Sequence, residues 1–217
     1  MRVAALFCLG TIAVILAGYL AQLNADQTLK RYAVHVVRDP KENWTGTGVY
    51  LGNGLVLTAG HVAGEPWNKI RVEIDGREFA TEVLKRGQFS TVDLALVAVD
   101  ERRLPRRLRR YRTTLCQQWP WPGEEVIVAT PEAAATSHVI SPDLLPADVA
   151  LKFWNAISDV ATTGNSGSGV FDAYQKCLLG IISGKIQANK PNEPGGIAKF
   201  FVPAPTIAEF LPPQYRF

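Results

Sequence analysis

Thr162-Thr163-Gly164-Asn165-Ser166-Gly167-Ser168-Gly169-Val170-Phe171 is a glycine-punctuated turn that runs straight into an apolar strand. A serine between two glycines can present its hydroxyl on a backbone that another group approaches closely. Two earlier segments share that look of a polar residue set at a strand end. Leu57-Thr58-Ala59-Gly60-His61 closes one apolar run, and Val92-Asp93-Leu94-Ala95-Leu96 opens another. A strand-end histidine, an aspartate opening a strand and a Gly-Asn-Ser-Gly turn are each ordinary punctuation. Together they supply a base, a group to orient it and a hydroxyl nucleophile.

Around these segments the chain reads as short strands and turns. Ala33 to Val37 is β-rich, and Val49-Tyr50-Leu51 and Leu55-Val56-Leu57 flank Gly52-Asn53-Gly54 as a hairpin. Ile70, Val72 and Ile74 alternate with polar residues up to the turn Asp75-Gly76, and Phe79, Thr81 and Val83 continue the pattern. Further strands are expected at 94–99, 126–128, 139–140, 150–154, 169–171, 178–183 and 200–202. A helix is expected over 205–211, with Pro205 near its start and Pro212-Pro213 ending it. Many short strands separated by turns indicate an all-β barrel or sandwich class.

The order of the three segments narrows this class. A triad read as His, Asp, Ser along the chain differs from the order in α/β-hydrolases and in subtilisins. Thr-Ala-Gly-His61, Asp93-Leu-Ala-Leu and Gly-Asn-Ser166-Gly-Ser resemble the three catalytic segments of the chymotrypsin/trypsin-like serine peptidase superfamily. The likeness extends over about residues 33–211. The serine segment is most similar to that of the short bacterial glutamyl endopeptidases. Asp-Leu-Ala and Gly-Asn-Ser-Gly also occur in high-temperature-requirement proteases, here without a PDZ domain after Leu211.

The resemblance implies an all-β fold of two antiparallel six-stranded β-barrels with a short C-terminal helix. Residues 33–100 would form the N-terminal barrel, 101–112 an Arg-rich linker and 113–217 the C-terminal barrel. It implies catalytic roles for His61, Asp93 and Ser166, with the oxyanion held by the backbone N–H groups of Gly164 and Ser166. Ser183-Gly184-Lys185 would line the substrate backbone, and Val160 and Gly196 the side-chain pocket. It also implies a bridge between Cys116 and Cys177. Asn165 stands where trypsin-type zymogens carry the aspartate that pairs with a newly cut N-terminus, so no such switch is expected. Val160 stands where trypsins carry the aspartate that binds basic side chains, which points to a small or medium apolar residue before the scissile bond. Glutamyl endopeptidases carry a histidine on the strand where this chain has Ile182, although Lys185, Lys190 and Lys199 would favour acids. The activity implied is a serine endopeptidase acting on protein or peptide substrates, with no cofactor and no metal. The alternative is an inactive binding or scaffold protein of the same fold at the cell envelope.

Composition agrees with a globular protein. The chain has 217 residues, 47% hydrophobic and 20% charged, which excludes disordered, collagenous and coiled-coil classes. A net charge of +3 is too mild to imply nucleic-acid binding. That balance conceals a segment, Glu101 to Arg112, with seven arginines, read as a solvated connector tied down by Leu104 and Leu108. Residues 3–21 carry no charge, so 1–25 are read as a secretory signal or a membrane anchor. Cys8 falls inside that run. The two cysteines of the 26–217 domain are then a candidate pair in an oxidising, extracytoplasmic compartment. Asn43-Trp44-Thr45 is a glycosylation sequon that matters only in a glycosylating host.

Overall fold

The computed structural model describes residues 27–38, 45–65, 69–145, 155–158, 166–187 and 197–216. Twelve strands among them close into two antiparallel barrels. The first is built from β1 (Ala33–Val37), β2 (Thr45–Gly52), β3 (Leu55–Thr58), β4 (Arg71–Ile74), β5 (Arg77–Arg86) and β6 (Ala95–Val99). They close in the order β1-β2-β3-β6-β5-β4. The second is built from β7 (Glu125–Ala129), β8 (Ala134–Ile140), β9 (Ala156–Ser158), β10 (Gly169–Asp172), β11 (Leu178–Gln187) and β12 (Ile197–Pro203). They close in the order β10-β11-β12-β9-β8-β7. This is the expected two-barrel fold. Among the described residues no helix is long and apolar enough to cross a membrane.

Local chemistry explains the hairpins. Asn53 and Gly54 both have positive φ, 54° and 75°, as a two-residue turn between twisted strands requires. Asp75 and Gly76 do the same between β4 and β5. The strand patterns then sort by how many faces are covered. β4 alternates buried and half-buried residues, as a strand with one face toward solvent should. Leu55-Val56-Leu57 and Leu94 to Val97 are continuously apolar because both of their faces are buried. Val56, Ala95 and Val97 point into the first barrel with Val34, Val36, Tyr50 and Val72. Leu55, Leu57, Leu94 and Leu96 face the other way, against Ile127, Phe171, Leu178 and Ile181 of the second barrel. The barrels are thus joined by an apolar seam, and the site residues lie along it.

The Arg-rich connector is folded onto the first barrel. Leu104 and Leu108 are 1% and 4% exposed within that barrel's core. Arg102 pairs with Asp100, Arg107 with Asp75, and Arg109 donates to the Leu104 carbonyl at 3.0 Å. Helix α1 is the single turn Gly60–Ala63, and α2 spans Ala204–Phe210 with Ala204, Ile207 and Phe210 buried. Lys85 of β5 donates to the carbonyl of Phe210, so α2 bridges the two barrels. A disulfide joins Cys116 to Cys177 across 61 residues, with Cα atoms 5.1 Å apart. The sequence-expected strand at 150–154 lies outside the described residues. The short β9 follows at Ala156–Ser158, where one three-residue run left too little pattern to read.

Candidate active site

His61 sits in α1 immediately after β3, and Asp93 lies just before β6, the strand paired with β3. The pairing brings the two together. The His61 backbone N–H donates to Asp93 Oδ1 at 2.9 Å, and its ring Nδ1 lies 2.6 Å from Asp93 Oδ2. A Cβ on Gly60 would stand 3.0 Å from Asp93 Oδ1 and crowd the carboxylate. Asp93 is only 4% exposed. Burial pushes its carboxyl up, but hydrogen bonds from the His61 ring, the Ser183 hydroxyl and the His61 amide outweigh that and hold it below the usual value. A carboxylate so placed fixes the tautomer with the proton on Nδ1 and leaves Nε2 as the acceptor.

Ser183 links this pair to the second barrel. Its hydroxyl donates to Asp93 Oδ2, and its backbone carbonyl accepts from Ser166 Oγ at 3.3 Å. His61, Asp93, Ser183 and Ser166 thereby form one hydrogen-bonded chain from the first barrel to the second. From sequence, Ser183 is expected only to contact the substrate. Its tie to Asp93 depends on a meeting of residues 90 positions apart that no local pattern carries.

The turn after Ser166 is clamped by the first barrel. Thr47 N–H donates to the Ser166 carbonyl at 2.9 Å, and Thr58 Oγ1 donates to the Thr47 carbonyl at 2.6 Å. Gly167 has φ +91°, and a Cβ there would fall 1.8 Å from the Thr47 carbonyl oxygen. Only glycine fits. Gly167 N–H also donates to the Ile182 carbonyl at 2.7 Å, which places Ser166 beside the middle of β11. The sequence gives no sign of the part played by Thr47 and Thr58, which read as ordinary strand threonines.

Gly184 follows Ser183 on β11. Val160, Gly164, Asn165 and Gly196 lie outside the described residues. A cleft of about 680 Å³ opens beside Asp93 and Ser183, walled by Phe89, Trp119, Pro142, Phe200 and Val202. The Phe89 ring stands edge-on to His61 at 5.9 Å between centroids and is largely exposed. Such a concave, mostly apolar space beside polar groups has the character of a ligand site.

Residues 46–181 match the family model of the trypsin-like peptidase domain. Among solved structures, the Rv3671c protease in its inactive form aligns over 88% of this chain and 93% of its own, with 19% identity and a TM-score of 0.62. The active form of the same protease, from M. tuberculosis, aligns over 85% and 81%, with 17% identity and a TM-score of 0.60. Kallikrein-related peptidase 10 in complex with Zn2+ aligns over 83% and 92%, with 18% identity and a TM-score of 0.57. At these identities the likeness concerns the fold. No curated protein matches the chain by sequence.

Proposed function

This chain belongs to the trypsin-like peptidase domain family, and on that premise we propose that it is a serine endopeptidase working through an acyl-enzyme. Ser166 Oγ attacks the substrate carbonyl carbon. His61 Nε2 takes the hydroxyl proton and passes it to the leaving amine. Asp93 holds the imidazole in the required tautomer and stabilises the imidazolium that forms. Water then attacks the acyl-enzyme by the same acid–base route and frees Ser166. By the family resemblance, the N–H groups of Gly164 and Ser166 receive the oxyanion, and losing one such donor costs roughly 3–4 kcal/mol.

The observation that carries this reading is the hydrogen-bonded chain from His61 through Asp93 and Ser183 to Ser166. Its test is labelling with a fluorophosphonate probe, together with peptide hydrolysis. Wild type is expected to label, and Ser166→Ala to lose labelling and about 10⁶ in kcat. Folded wild type that neither labels nor cleaves would identify the inactive binding protein instead.

The proposed location is an extracytoplasmic space, reached through residues 1–25 as a signal or an anchor. The uncharged run 3–21 and the Cys116–Cys177 bridge support it. N-terminal sequencing of the protein from its host, in soluble and membrane fractions, distinguishes a cleaved signal from an anchor. A full-length chain in the cytosolic fraction would overturn both.

A further inference from the structure

Three of the connector's seven arginines have no work inside the folded chain. Arg102 pairs with Asp100, Arg107 with Asp75 and Arg112 with Glu101, and Arg109 donates to the Leu104 carbonyl. Arg103, Arg106 and Arg110 are exposed, and their side chains form no hydrogen bond or ion pair among the described residues. A run of like charges repels itself and commonly stays unfolded as an interaction tail. Here Leu104 and Leu108 turn into the first barrel's core instead. The arginines beside them are therefore held outward on a fixed surface.

The start of the described chain adjoins that surface. In the 3-10 turn Leu29–Tyr32, the Tyr32 ring stands edge-on to Tyr111 of the connector at 5.8 Å between centroids. The Arg31 guanidinium lies 5.2 Å from the centre of the same Tyr111 ring. Lys30, Arg31, Arg107 and Tyr111 line one cavity of about 480 Å³, whose acids are Glu73 and the Arg107-paired Asp75. Basic residues from two separate segments thus converge where the chain leaves toward its uncharged run, residues 3–21.

From this placement we propose that the connector and residues 27–31 form a docking face for an anionic phospholipid bilayer, the one that the uncharged run enters. The proposal rests on the anchor form of the location reading and is independent of the peptidase chemistry. Residues 22–26 join Ala21 to Gln27, and a chain of that length reaches at most about 20 Å. With 3–21 in the bilayer, Gln27 and the surface around it are held close to the lipid headgroups. Attraction between anionic headgroups and arginine falls off within a Debye length, about 8 Å at physiological salt, so the tether brings the arginines within reach of it. Guanidinium also matches phosphate in two-pronged geometry. An apolar span fixes the chain in the membrane but leaves the domain free to turn. The basic face chooses which side meets the lipid. It shares no lining residue between its cavity and the cleft beside Asp93 and Ser183, so docking leaves that cleft open. An acidic polysaccharide would match the charge equally well, and the tether is what favours the bilayer.

The test reconstitutes the full chain with vesicles of phosphatidylcholine, alone or mixed with phosphatidylglycerol. Flotation reads attachment. Phenylglyoxal modification, mapped by mass spectrometry, reads which arginines are covered, with Arg86 beside His61 as the reference. Arg103, Arg106 and Arg110 should react on the order of tenfold more slowly on the anionic vesicles. High salt should restore the rate seen on neutral ones. The combined variant Arg103→Gln/Arg106→Gln/Arg110→Gln should return Arg31 and Arg107 to the neutral-vesicle rate with the thermal midpoint unchanged. If that variant fails to fold, the lipid and salt arms on wild type carry the test. Equal modification on both vesicles, in a chain that floats with both, overturns the docking face and leaves the anchor standing. A chain that floats with neither overturns the anchor and this proposal together. Modification slowed by heparin but not by the anionic vesicles assigns the face to an acidic polysaccharide and overturns the proposal.

Discussion

The two barrels have the same strand count and the same closure, yet they hold charge differently. Among the described residues of the first barrel, the core cluster is apolar and the one deeply buried acid, Asp93, sits at the rim with three donor groups around it. In the second barrel ionisable groups are carried inward. Lys199 lies on the interior face of β12, and Glu124 and Asp172 are both almost fully buried beside each other. A disulfide reinforces the second barrel, whereas the first has the folded Arg-rich connector laid against it through Leu104 and Leu108. The difference indicates a division of labour. The first barrel holds the proposed base and its carboxylate partner, and the second carries the proposed nucleophile together with buried ionisable groups that cost it stability.

The largest expected effect strikes the rim of the first barrel. Asp93→Asn should fold, since it keeps the shape of the side chain, but its amide can donate to the His61 ring where the carboxylate could only accept. The histidine would then present the wrong nitrogen to Ser166. A loss of about 10⁴ in kcat is expected, with thermal unfolding nearly unchanged. A loss below tenfold would break the view of the first barrel as the acid–base mount.

The next largest effect falls on the second barrel. Removing the bridge in Cys116→Ser/Cys177→Ser frees a loop of 61 residues in the unfolded chain. That should cost about 4 kcal/mol on the loop-entropy account. Chemical denaturation checks it. A change below ~1 kcal/mol would mean that the bridge ties down something already held by the Cys116–Leu178 and Leu178–Thr114 backbone bonds. Placing the same loss in the first barrel takes Leu108→Ala, worth about 3 kcal/mol for a buried leucine.

These contrasts were unevenly legible in the sequence. Strand positions and the hairpin turns were readable because period-two patterning and positive-φ residues are local signals: Asn53-Gly54 and Asp75-Gly76 bend where their chemistry demands. The motif segments were readable through family likeness; the structure pairs His61 with Asp93 directly and links Ser166 to them through Ser183. Contacts set by register were not. Ser183 meets Asp93, Thr47 clamps the Ser166 turn, and Lys199 turns inward opposite Ile157 only once the strands are paired. As a sequence, Lys199 is one lysine among surface lysines. The connector shows the same limit, since four of its arginines are explained by Asp100, Asp75, Glu101 and backbone carbonyls that meet them only in the folded chain.

The smallest effect would sharpen the contrast through pH. Glu124 Oε2 accepts from the Trp121 N–H at 3.0 Å, and Oε1 is buried without a hydrogen-bond partner among the described residues. Asp172, beside it, accepts from the Tyr174 and Gln175 amides on the other strand end. Burial first, and then the neighbouring Asp172, raise the Glu124 carboxyl to about 7. The folded state therefore binds the proton more tightly than the unfolded chain does. The resulting stability is complete below the unfolded value and is lost as pH rises through about 7. The amount is on the order of 3 kcal/mol. Urea unfolding of wild type should give a midpoint that falls between mildly acidic and neutral pH. Glu124→Gln, which stays uncharged, should flatten that slope and leave kcat/KM at fixed pH within about twofold, because Glu124 lies away from the His61–Ser166 chain. An unchanged slope in Glu124→Gln would remove the claim that Glu124 stores titratable charge at a cost to the second barrel's stability, and would leave its difference from the first barrel to the disulfide and the buried Lys199.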